Sequence, residues 1–157
     1  MCTCSNGDRP YKFNSNGQLL AKYDKVIQPH QDGRSSIFFT QMAVDGLANI
    51  YVLDGSNAHV FVFKADCTFV NRFGSKVKGA DQFTFPLSIA VESQSNVYVG
   101  DGRTIKVFDK TGRYLRAISL PSGITYSKAL AFNSKGVLVA LGYDKKVYEL
   151  NVATAQK

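Results

Sequence analysis

Two stretches of this chain carry the same pattern. MAVDGLANIYVLD (Met42 to Asp54) and IAVESQSNVYVGD (Ile89 to Asp101) match in outline, and both Met42 to Ile89 and Asp54 to Asp101 are 47 positions apart. A period of this length means one supersecondary unit built several times, each burying itself against the next. A third, weaker copy, LAFNSKGVLVAL, runs from Leu130 to Leu141 and reads as one residue shorter in its turn.

Within each copy, two apolar runs flank polar turn residues such as DGLAN, ESQSN and NSKG. Short runs rich in Val, Ile, Phe and Tyr, bounded by Gly, Asn, Asp and Ser, predict antiparallel strands, and helical periodicity is absent. A third strand follows in HVFVF (59–63), TIKVF (104–108) and KKVYEL (145–150). A fourth follows in TFVNRF (68–73) and RYLRAI (113–118), across the turns KADC and DKTG. Gly112 suits a turn position with positive φ, and Cys67 occupies the equivalent place. An aromatic precedes each first strand, Phe38, Phe85 and Tyr126, and is expected to pack between neighbouring units.

The N-terminus enters mid-unit. YKFNSNGQLLAKY (Tyr11 to Tyr23) aligns Phe13 with Phe63 and Phe108, and Gly17 with Cys67 and Gly112, so it supplies a third and a fourth strand. Four-stranded antiparallel sheets repeating every 40 to 50 residues predict an all-β fold made of β-propeller blades. The predicted boundaries are an N-terminal tail at 1–10, a partial blade at 11–24, blades at 37–74 and 85–119, a partial blade at 126–152 and a C-terminal tail at 153–157. That is roughly three blades in one chain.

At this point FTFPLSIAVESQSNVYVGDGRTIKVFDKTGRYLRAI resembles the NHL repeat. The likeness is strongest over 38–118. It departs at Phe39, where the second unit has Pro86, and in VALGYDKKVYEL, which lacks the repeat's Asp. NHL repeats usually build six-bladed propellers, so the resemblance implies half a ring. An open arc leaves apolar faces uncovered, which leaves two readings: a piece of a longer protein, or a homodimer that closes one ring. The resemblance also brings candidate activities, since propellers of this kind include RNA-binding domains, lyases and lactonases.

The net charge of +7, from 19 Lys and Arg against 12 Asp and Glu, favours anionic partners. Three cysteines, Cys2, Cys4 and Cys67, form no disulfide framework, and Cys2 and Cys4 lack the second half of a zinc site. No apolar run approaches a membrane-spanning length, and no signal peptide is visible in MCTCSNGDRPYKF, so a soluble chain is expected, its compartment open.

Candidate binding residues come from loops and basic clusters. The polar segment KVIQPHQDGRSSIFF contributes His30 and Arg34; RFGSKVKG contributes Arg72, Lys76 and Lys78; Arg103 opens a second basic group with Lys106, Lys110, Arg113 and Arg116. Tyr11, Tyr114 and Phe73 are the candidate rings for stacking. Asp54 and Asp101 recur where second strands end, and are expected to cap turns rather than hold a cation. His59 lacks a convergent second ligand or base in sequence. No catalytic residue, metal or cofactor is assigned. The expected function is a non-enzymatic binding or scaffold module that recognises a protein or an extended polymer through propeller-face loops. RNA binding through the basic face is the alternative, and a lyase or lactonase the second alternative.

Overall fold

In the computed structural model of the chain, residues 2–5, 9–22, 39–66, 68–76 and 79–152 are described. They form fourteen strands: β1 (Cys2–Ser5), β2 (Arg9–Phe13), β3 (Leu19–Lys22), β4 (Phe39–Val44), β5 (Ile50–Asp54), β6 (His59–Phe63), β7 (Phe69–Phe73), β8 (Pro86–Val91), β9 (Val97–Asp101), β10 (Thr104–Phe108), β11 (Tyr114–Ser119), β12 (Ser127–Phe132), β13 (Leu138–Gly142) and β14 (Val147–Leu150). Four antiparallel sheets result, in the orders β1-β2-β3, β4-β5-β6-β7, β8-β9-β10-β11 and β12-β13-β14. Each strand pairs with its neighbour in sequence. Consecutive sheets pack through their first strands, β4 on β8 and β8 on β12. This is the all-β, blade-on-blade layering of a β-propeller.

Two expectations need correction. Cys2–Ser5 is a strand, paired with β2 from Cys2↔Lys12 to Ser5↔Arg9, where the sequence placed a tail. CTCS alternates Cys with Thr and Ser, but over four residues that pattern is too short to mark a strand without its partner β2. The third copy is not shortened either. Val44↔Ile50, Val91↔Val97 and Phe132↔Leu138 close identical turns, which puts Asn133 at the position of Asp45 and Glu92. Gly112 does take positive φ, at 87°.

Two dry seams hold the middle of the arc. Between the second and third sheets, Tyr51, Leu53, Val60 and Val62 meet Ile89, Val97, Val99 and Phe108, with Phe83 of the connecting loop. Between the third and fourth, Ala90, Tyr98, Ile105 and Val107 meet Leu130, Leu138, Ala140 and Leu150. Both faces of β5 and β9 are covered, so every residue in these two strands is buried.

Polar latches cross the same seams. The Asp45 carboxylate accepts from the amides of Leu47 and Asn49, the Asn49 side-chain amide, the Tyr51 hydroxyl and, from the next sheet, the Ser95 hydroxyl at 2.8 Å. Burial pushes this carboxyl up, yet the bonds from Asn49 and Ser95 outweigh burial and hold it below the ordinary carboxylate range. The same burial, with Asp45 beside it, pushes the Tyr51 phenol up to about 12. On the innermost strands, the Ile89 amide donates to Gln41 Oε1 at 2.8 Å, and the Ser88 and Ser127 hydroxyls meet at 2.8 Å. Gly100 lies under that serine pair. A Cβ there would stand 2.0 Å from Ser127 Oγ and 2.3 Å from Ser88 Oγ, so only glycine fits.

Candidate partner-binding face

The turns between second and third strands (55–58, 102–103 and 143–146) share one end of the sheets with the connections between blades. The turns at 45–49, 64–68 and 109–113 lie at the opposite end. Among the described residues, two aspartates anchor segments at the first end. Asp54 accepts the Ser56 and Asn57 amides at 3.0 and 3.1 Å and the Asn57 side-chain amide at 2.7 Å, the expected turn cap.

Asp101 holds the same register position but has a different task. Its carboxylate accepts the amides of Thr84 and Phe85, back along the chain, and sits 3.1 Å from the Lys106 ammonium. Lys106 also donates to the Gln82 carbonyl, and buried Phe83 lies edge-on to Phe108 at 5.4 Å. The 79–85 connection is thereby pinned down just before Phe85, and the ring that follows is turned outward.

Phe85 begins a row of exposed rings. Its centroid is 5.7 Å from that of Tyr126, and Tyr126 lies 6.1 Å from Tyr143, with planes turned 65° and 71°. Phe85, Tyr126 and Tyr143 are 54%, 39% and 57% exposed. The Lys128 ammonium stands 5.3 Å over the Tyr143 ring. Phe85 and Tyr126 do meet across the seam, as expected of the aromatics ahead of first strands, but at the surface and not in the core. Phe38 lies outside the described residues. Tyr143 was overlooked in the sequence, although a signal was there: it stands where the other copies have Gly55 and Gly102.

The predicted binding residues divide. Arg72, Lys76 and Arg103 are exposed and lie at or near the aromatic end; His30, Arg34 and Lys78 lie outside the described residues. The second basic group is largely committed to structure. Lys106 pairs with Asp101, Arg113 with Asp109 at 3.0 Å, and Arg116 donates to the Val152 carbonyl at 2.7 Å. The Thr111 hydroxyl and Arg113 hold the Asp109 carboxyl well below its ordinary range. The proposed stacking rings are also occupied: Phe73 packs 5.1 Å from Phe108, Tyr114 5.8 Å from the same ring, and Tyr11 is half-buried. His59 packs edge-on against Phe61. Among the described residues, no three His, Cys, Asp or Glu side chains converge as a metal set, and no helix is long and apolar enough to cross a membrane.

Residues 43–149 match the family described as a 6-bladed beta-propeller, DUF5128. The chain belongs to that family. No curated protein matches it in sequence. Solved propellers match in fold at low identity. The WD40 repeats of RRP9 superpose with a TM-score of 0.65 at 14% identity, over 95% of this chain and 46% of that one. A streptogramin B lyase gives 0.60 at 10%, over 95% and 49%. A gluconolactonase from Xanthomonas campestris gives 0.61 at 17%, over 88% and 42%. The family member described here thus spans about half the length of these structures, and they include both WD40 domains and enzymes.

Proposed function

We propose that this propeller segment, of NHL type, is a non-enzymatic binding module that takes a protein or an extended polymer on the end bearing the inter-blade connections. The exposed row Phe85–Tyr126–Tyr143 carries this reading. A soluble surface rarely leaves three touching rings to water without a partner, and loops on a rigid scaffold are where recognition concentrates. Arg72, Lys76 and Arg103 flank that end.

The test compares its two ends. Binding of oligouridylate, poly-glutamate and neutral dextran would be measured for the native chain, for Tyr126→Ser/Tyr143→Ser, and for Lys64→Glu/Lys110→Glu at the opposite end. Any bound polymer should weaken about tenfold with the aromatic pair removed, a hot-spot-sized loss, and stay unchanged with the distant charges reversed. The reverse pattern overturns the reading.

A second proposal concerns assembly. Val139, Leu141 and Val147 lie on the face of the fourth sheet turned away from the third, and Val147 is 67% exposed. We propose that a second copy covers this face to complete a ring. Light scattering after size exclusion should then give twice 17.2 kDa; a stable monomer would refute it.

A further inference from the structure

The geometry of the ring row distinguishes between classes of partner. Bases of a single strand need ring faces on which to lie flat, whereas Phe85 and Tyr143 are turned 65° and 71° from Tyr126. Rings packed edge to face present a stepped apolar surface and not a flat platform, which suits aliphatic or aromatic side chains laid against it. The charge around them is mainly positive. Lys128, Lys145, Lys146 and Arg103 are exposed at this end. Of the carboxylates at this end, Asp54 and Asp101 are buried on backbone amides, whereas Asp81 and Asp144 are exposed, Asp144 accepting from the Tyr148 hydroxyl and the Lys146 amide; the exposed cations outnumber these two.

We infer that the row docks an acidic protein segment, which lays apolar side chains on the exposed sides of the rings and its carboxylates against the surrounding lysines and Arg103. The inference rests on the binding-face reading above and names its partner class. Tyr and Arg are the side chains that most often dominate protein interfaces. The Asp101 clamp fixes the Phe85 backbone before binding, so little backbone entropy is left to lose there. The excess of exposed positive charge steers an acidic segment in and disfavours a basic one, an effect that salt weakens.

The experiment is selection of a displayed library of random dodecapeptides on the full chain, after depletion on Tyr126→Ser/Tyr143→Ser. Enriched peptides should carry net negative charge around a Leu, Phe or Trp anchor. They should bind Tyr143→Gly about tenfold more weakly and weaken further as salt rises. Tyr143→Gly places there the residue type found in the other two copies, and its unfolding, measured alongside, separates loss of binding from loss of fold. Enrichment of neutral or basic peptides, or none surviving depletion, overturns the inference. Oligouridylate, measured alongside, separates the two failures. If it binds and is lost with the same substitutions, the face stands and the acidic-segment assignment falls. If neither ligand depends on the rings, both fall.

Discussion

β5 and β13 hold the same place in their sheets, yet only β5 is dry throughout. Ile50, Tyr51, Val52 and Leu53 are at most 1% exposed, whereas in β13 burial alternates, with Leu138 and Ala140 buried and Val139 and Leu141 half-open. The strands differ little in composition. What differs is whether a neighbouring sheet stands on both sides or on one. The latches follow the same gradient. Gln41 reaches the next sheet and so does Ser88, but the third copy has Ala129 at that position. Asp45 reaches across to Ser95, whereas the Asn133 side chain accepts the Lys135 and Val137 amides of its own turn. A blade in this chain is therefore stable in proportion to its neighbours, as expected of a repeat array, and anything seated on the open face of β13 would be held there by burial and not by these latches.

The largest test of this contrast is a matched truncation. Leu53→Ala removes a side chain from a closed seam and should cost about 2–5 kcal/mol. Leu141→Ala, at the same repeat position, should cost about 1 kcal/mol or less in the isolated chain. Thermal or urea unfolding of both variants, read against protein concentration, would break the comparison if the two costs were equal at every dilution. Equality only at high concentration would instead sharpen it, since a second copy would then be covering Leu141.

The latch gradient predicts a smaller difference. Asp45→Ala strands several buried donors on two sheets and should cost about 2–3 kcal/mol, against about 1 kcal/mol for Asn133→Ala. The pH dependence has a definite sign. The Asp45 carboxyl is held below its ordinary value when folded. Its contribution is therefore complete above the ordinary carboxylate range and lost as pH falls through the depressed value. Melting of the native chain and of Asp45→Asn across acidic pH should show their gap closing on acidification. A gap that stayed constant would mean that Asp45 acts by shape alone.

How far the sequence revealed this depended on the kind of information. The period from Met42 to Ile89 and the apolar runs in IYVLD and HVFVF speak to blade repetition directly, because burial on two sides selects apolar runs. β1 escaped because the alternation in CTCS spans only four residues and gains its meaning from pairing with β2. The job of Asp101 escaped because its partners, the amides of Thr84 and Phe85, have no side-chain identity to read. The basic clusters misled for a related reason: Lys106 and Arg116 look like surface charge in sequence, and only the fold brings Asp101 and the Val152 carbonyl to them.

Tyr143 gives the smallest stability effect and the cleanest separation of structure from function. The closed blades place Gly55 and Gly102 at this turn, so nothing in the blade's own geometry requires a ring there. The side chain is 57% exposed, and its contacts are Tyr126 and the Lys128 ammonium. Tyr143→Gly should leave the unfolding free energy within about 0.5 kcal/mol of native, as surface changes away from packing do. Tyr51→Ala, buried in the seam beside Asp45, should lose about 3–5 kcal/mol in the same measurement. A destabilisation by Tyr143→Gly approaching that of Tyr51→Ala would make the ring row part of the scaffold, and the outward-facing end would lose its claim to be a binding surface.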